Sequence, residues 1–292
     1  MTGHRATWVN AFTDKPVGGN PCIVVFDAGD IPEAERLDFT RATGLTECAF
    51  LQPSDKADFG ARYYTAKAEI KFAGHPTIAT ITALEAAGAL QGRDHLTLEV
   101  GSGVIPIEIS RGDGPPWITM TQARPVFGAT HDPAFVAEMM GLTAADIVCT
   151  PQVVSTGTPF CIAEVRDHAA LRRARIEPEP YLAAEEAFGP HFEPFLVALG
   201  GVDSGDTFSR LMLPPPLPPE DAFTGSATGC MSAYLFANRR IGSRFTAEQG
   251  HWMGRPSRAN AEVVGTPDAI HSVRLSGQGI VLMDAVIGNR YT

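Results

Sequence analysis

The stretch Glu69-Ile70-Lys71-Phe72-Ala73-Gly74-His75-Pro76-Thr77, continued by IATITALEAAG, decides the fold because the chain carries a second version of it. That version is Glu220-Asp221-Ala222-Phe223-Thr224-Gly225-Ser226-Ala227-Thr228, continued by GCMSAYLFANR. Glu69 and Glu220, Phe72 and Phe223, Gly74 and Gly225, Thr77 and Thr228, and Leu84 and Leu235 share one offset of 151 residues. An arginine precedes each segment, Arg62 and Arg210, with the offset slipped by three. A further echo joins Gly19-Asn20-Pro21-Cys22-Ile23 to Gly157-Thr158-Pro159-Phe160-Cys161. Two echoes in the same order read as an internal duplication. Their unequal offsets imply an insertion in the second half, which the helical, acidic stretch 178–200 can supply.

Working outward, alternating or β-branched runs predict strands at 5–12, 22–26, 47–52, 59–64, 96–100, 104–109 and 117–122. Helices are expected over 32–43, after Ile31-Pro32, and over 76–88, ending at Gly88. The second half predicts strands near 152–156, 160–165, 207–213, 244–248, 261–265, 270–275 and 279–286. Its helices are expected near 132–140, 167–174, 181–199 and 227–238. Each half is thus an α+β unit with one long apolar helix, a natural core for a strongly curved sheet. A seam is expected near 124–133, giving halves 1–127 and 128–292, with the C-terminal strand able to cross over. Prolines crowd 214–219, a stiff loop before the second motif.

The 292 residues are 44% hydrophobic and 19% charged, enough for a full core without disulfides or metals. A formal charge of -10 with no basic run argues against nucleic acid. Five cysteines, widely spaced and without a CxxC pair, argue against a zinc site or disulfide scaffold and fit a reducing, cytoplasmic setting. No targeting segment and no apolar stretch of membrane-spanning length is recognised, so no membrane partner is expected.

The two helix starts are the first chemical candidates. Gly74 with His75, and Gly225 with Ser226, offer free backbone N–H groups suited to a substrate carboxylate, or are ordinary caps. His75, between apolar elements, either satisfies a local hydrogen bond or passes a proton near neutrality. Glu47, in Gly44-Leu45-Thr46-Glu47-Cys48-Ala49-Phe50, is an ordinary surface glutamate unless it faces a closed cleft, where desolvation makes it an effective base. Asp221 can cap backbone donors or bind an ammonium group, and Ser226 can bind a ligand or cap its helix. Cys22, Cys48 and Cys230 raise the option of thiol-based racemisation, although Cys230 lies a turn deep in its helix. Dinucleotide, P-loop, α/β-hydrolase and HExxH metal motifs are absent, so neither cofactor nor metal is expected.

Gly19-Asn20-Pro21, Thr46-Glu47, Glu69 with Phe72 to Thr77, Ser155-Thr156-Gly157, Glu220-Asp221-Ala222 with Thr224 to Ala227, Gln249-Gly250 and Met253 to Ser257 run in order along essentially the whole chain. In this combination the sequence resembles the PhzF-like isomerase family, which shares the diaminopimelate-epimerase fold. The resemblance implies two similar halves, each a curved sheet around a central helix, with the active site in the cleft between them. It implies a homodimer, no cofactor, and a small-molecule carboxylic acid as substrate. The isomerase that names the family acts on trans-2,3-dihydro-3-hydroxyanthranilate in phenazine biosynthesis. By the same resemblance Glu47 is the proton carrier, His75 and Asp221 are catalytic partners, and Gly74, Gly225 and Ser226 bind substrate. Ala66 stands where the family usually has a proline, and the proline-rich stretch 212–219 replaces a commoner lead-in. Those departures leave open an isomerase or epimerase for a different acid, or an inactive dimeric binding homologue.

Overall fold

A computed structural model describes residues 3–189, 192–215 and 217–288; Pro216 of the proline-rich stretch lies outside them. By its internal contacts the chain divides into two units. One takes the described residues through Thr121 and from Ser276 onward, and the other is Gln122–Leu275.

The first unit runs β1 (His4–Ala11), β2 (Asn20–Val25), α1 (Glu33–Thr43), β3 (Glu47–Gln52), β4 (Phe59–Thr65), β5 (Glu69–Ile70), α2 (Gly74–Ala86), β6 (His95–Val100), β7 (Gly103–Ser110) and β8 (Trp117–Gln122). The pairs β1–β2, β3–β4, β4–β5, β6–β7 and β7–β8 are antiparallel, while β2–β3 and β4–β6 are parallel. The second unit has β9 (Val126–Thr130), α3 (Pro133–Met139), β10 (Gln152–Ser155), β11 (Pro159–Glu164), α4 (His168–Arg173), α5 (Pro178–Phe188), β12 (Pro194–Leu199), β13 (Thr207–Met212) and β14 (Glu220–Asp221). It continues through α6 (Gly225–Ala237), β15 (Arg244–Gln249), β16 (Ser257–Thr266) and β17 (Ala269–Gly277). Its pairing repeats that of the first: β10–β11, β12–β13, β13–β14 and β15–β16 are antiparallel, and β11–β12 and β13–β15 are parallel. The last strand, β18 (Gly279–Ile287), returns to the first unit and pairs antiparallel with β1. Each unit is therefore a mixed sheet about one helix, the α+β architecture expected from the duplicated motif.

The two central helices are apolar on every face, and such a helix must be buried all round. Every residue is buried from Gly74 to Leu84 in α2 and from Gly225 to Leu235 in α6. Hydroxyls inside them return to the carbonyl four residues earlier: Thr77 to Ala73 at 2.7 Å, Thr82 to Ile78 at 2.8 Å, Thr228 to Thr224 at 2.9 Å and Ser232 to Thr228 at 2.7 Å. A polar group so satisfied can sit in a core without a desolvation penalty left over. On the other face of the first sheet, α1 covers Ala6, Cys48, Phe50 and Tyr64.

One expectation is corrected. The helix read over 181–199 ends at Phe188, and β12 is a strand that pairs parallel with β11 and antiparallel with β13. Pro194 to Ala198 are all buried, and a short continuous apolar run carries no period to separate strand from helix. The interrupted stretch 124–133 contains β9, paired with β10; all five of its residues are exposed, so no burial alternation marks it.

Candidate active-site residues

Alternation along β3 and β4 sets the first group. Cys48, Phe50 and Tyr64 point toward α1, so Glu47 and Tyr63 point to the α2 side. Tyr63 meets Thr77 in the first turn of α2, hydroxyl to hydroxyl at 2.9 Å. Because the Thr77 hydroxyl donates to the Ala73 carbonyl, the Tyr63 hydroxyl donates to Thr77. This chain ties β4 to the helix start that carries His75.

His75 Nδ1 lies 3.5 Å from Glu47 Oε2, and their side chains are 4% and 19% exposed. The reading of Glu47 as an ordinary surface glutamate therefore fails. Asn20, the first residue of β2, places its side-chain amide nitrogen 3.1 Å from the same His75 Nδ1. Gly19, at φ +69, makes the turn into β2, where a Cβ would collide with the Ala11 carbonyl and Thr13. Gly19-Asn20-Pro21 before a strand is the sequence signal for Asn20, but nothing in the sequence links it to His75.

The second group is built alike on α6. Asp221 is on β14 opposite Leu211, and its carboxylate accepts the Thr224 hydroxyl at 2.6 Å. Gln249 ties both ends of this turn: its amide nitrogen donates to the Asp221 carbonyl at 2.9 Å, and its oxygen accepts the Thr224 N–H at 3.1 Å. Asp221 and Ser226 are buried, 6% and 8% exposed. Gln122 donates to the Gly225 carbonyl at 3.0 Å and accepts from Thr156 at 2.6 Å. A Cβ on Gly229 would overlap the Gln122 carboxamide, so glycine is required there for Gln122 to reach the helix start. The N-cap residues Ala73 and Thr224 make no side-chain cap, and neither first turn holds an acidic residue. Ordinary side-chain capping is thus not what these two helix starts do.

The thiols are poorly suited to act as bases. Burial pushes Cys22 well above its ordinary value, and the neighbouring Cys48 and Glu47 charges add to this. Burial also drives Cys48 and Cys230 each to about 11, against partly compensating hydrogen bonds. At that value only about one thiol in 10⁴ is ionised at neutral pH. Among the described residues no group of three or more His, Cys, Asp and Glu side chains could hold a metal ion. Among them, too, no helix is long and apolar enough to cross a membrane.

A mixed-sheet unit built around a buried helix, present twice and carrying a carboxylate–imidazole pair in one copy, defines an isomerase-type architecture. The model of the family described as phenazine biosynthesis-like protein, PhzC/PhzF, matches residues 9–285, and the chain belongs to that family. It is 30% identical over 285 residues to a trans-2,3-dihydro-3-hydroxyanthranilate isomerase of Pseudomonas aeruginosa, covering 94% of this chain and 96% of that protein. The crystal structure of a PhzF-family phenazine biosynthesis protein of Bacillus anthracis superposes with a TM-score of 0.86 at 25% identity, covering 99% of this chain and all of that one. A predicted epimerase from Pseudomonas aeruginosa matches at 0.82 and 31% identity, covering 97% of this chain and 99% of its own.

Proposed function

We propose that this protein is a cofactor-free isomerase that moves a proton on a small cyclic amino or hydroxy acid, with Glu47 as the carrier. The observation that carries this reading is the enclosed Glu47 carboxylate 3.5 Å from the His75 imidazole. A largely enclosed carboxylate beside an imidazole can take a proton from carbon and return it. By strand register the repeat places Glu193, just before β12, where the first unit has Glu47, but its helix start carries Ser226 in place of His75. A single carboxylate–imidazole pair suits a reaction in which the proton leaves and returns on one face.

The favoured substrate is trans-2,3-dihydro-3-hydroxyanthranilate, on the strength of the family likeness. Glu47 removes the proton from the hydroxyl-bearing carbon, the conjugated ring spreads the charge, and protonated Glu47 delivers the proton elsewhere on the ring. The enol then tautomerises to the ketone. His75 and Asp221 orient the amino and hydroxyl groups, while Gly74, Gly225 and Ser226 donate to polar edges. The same likeness supports a homodimer, and five free thiols support a reducing, cytoplasmic setting. Ala66, whose carbonyl accepts from Arg41 at 2.9 Å, stands in place of the family's usual proline and favours, as a second reading, a related acid as substrate.

Incubation of the dihydro acid with enzyme in deuterated water, followed by ultraviolet and NMR spectroscopy, tests this. Conversion with characteristic label exchange or retention is expected. E47Q is expected to bind a substrate analogue yet lose about 10²–10⁴-fold in kcat. Full turnover by E47Q would end the assignment. Tight binding by the native chain without exchange would favour a binding protein.

A further inference from the structure

We propose that Asn20 is a positioning residue that fixes the tautomer of His75, keeping Nδ1 unprotonated and the ring proton on Nε2. The inference rests on the role proposed for Glu47 and His75. Two groups meet one ring nitrogen: the Asn20 amide nitrogen at 3.1 Å and Glu47 Oε2 at 3.5 Å. An amide N–H can only donate, so Nδ1 must offer its lone pair. The ring of a neutral histidine then carries its hydrogen on Nε2. The longer carboxylate contact agrees, because 3.5 Å exceeds the 2.7–3.2 Å of a normal N–H···O bond. A carboxylate facing a lone pair is held off, whereas one facing an N–H closes in.

The surroundings keep this choice in place. Asn20 is 2% exposed, and Pro21 follows it at the turn set by Gly19. Cys22 and Tyr63 interact with Glu47, and burial keeps the thiol and the phenol neutral. With Nδ1 occupied by Asn20, the imidazole cannot collect the proton that Glu47 lifts from carbon. The proton stays on the carboxyl group, where it is available for return, and Nε2–H serves as a donor.

The test reads the ring directly, with no substrate present. Long-range ¹H–¹⁵N correlation spectra of the full-length protein are recorded, and the His75 signals are identified by their loss in H75Q. The Nε2–H tautomer is expected in the native chain. Asn20→Asp keeps the size and shape but replaces the donor by an acceptor. It is expected to move the ring proton to Nδ1 and raise the His75 titration midpoint. A native ring protonated on Nδ1, or N20D with the tautomer unchanged, overturns the proposal. If N20D does not fold, N20A serves, with a mixture of tautomers expected and an unchanged tautomer again decisive against it. These outcomes do not depend on turnover, so failure of the Glu47 assignment, read in E47Q, remains a separate result.

Discussion

The two units solve the same structural problems with related residues, yet they differ in chemistry. At the shared offset, His75 in α2 corresponds to Ser226 in α6, and Ile70 in β5 corresponds to Asp221 in β14. The carboxylate at the start of β3, Glu47, has Glu193 as its register counterpart just before β12, but there the helix start offers no imidazole. Supporting contacts recur but are stronger in the second unit. Arg210 grips Glu220 with two bonds of 3.0 and 2.8 Å and also donates to the Leu171 and Ala174 carbonyls. Its counterpart Arg62 only approaches Glu69, at 3.5 Å. Glu248 accepts four backbone N–H groups from the β12–β13 turn, whereas Glu99 holds the β3–β4 turn through the Ser54 hydroxyl. The first unit carries the carboxylate–imidazole pair, and the second holds its turns with the denser set of contacts.

Substitutions can break or sharpen this contrast. The largest effect is expected at the non-equivalent chemical positions: H75A should lower kcat by about 10²-fold or more, whereas S226A should act chiefly on KM, by about ten-fold. Steady-state kinetics separates the two, and equal effects on kcat would erase the contrast. On stability, R210A leaves Glu220 enclosed without its cation and should cost about 3 kcal/mol. R62A, with a longer and more exposed partner, should cost less than about 1 kcal/mol by urea denaturation.

Acid should weaken the Glu248 anchor of the second unit. Burial acts to raise the Glu248 pKa, but the backbone N–H groups of 203–205 outweigh it and hold it below its ordinary value. A carboxyl group lowered by folding adds stability above the ordinary carboxylate range, and that stability is lost as pH falls through the depressed value. Tm measured from pH 6 to 3 should fall less steeply in E248Q than in the native protein, from a lower starting point. A parallel fall in both would exclude the anchor as the cause. The smallest effect is expected at the thiols: C22A, C48A and C230A should each retain turnover within about two-fold once corrected for folded fraction, since a buried, protonated thiol is not a base. Loss of activity without loss of fold would reinstate thiol chemistry.

The duplication was legible because Gly74 and Gly225, Thr77 and Thr228 sit at positions where few other residues fit a buried helix start. Boundaries of the alternating strands were legible for the same reason, a visible period. β12 was not, because a fully buried strand has no polar face to show. Glu47 could be named only through the family likeness; its own neighbours say nothing about enclosure, which arises from the pairing of β3 with β2 and β4. The Asn20–His75 contact spans 55 positions, and no local pattern encodes it.

The return of β18 to β1 has a consequence for how the chain is made. His4 pairs with Ile287 and Ala11 with Gly279, so the first unit to leave the ribosome is the last to be finished. Until those final residues emerge, one edge of β1 stays unpaired while the whole second unit is already available to fold. A pairing so distant in sequence is slow to close, because the chain between its ends must first be ordered. While residues 122–275 are being made, the growing chain therefore holds a sheet with one open edge, and that exposed edge is where self-association would begin.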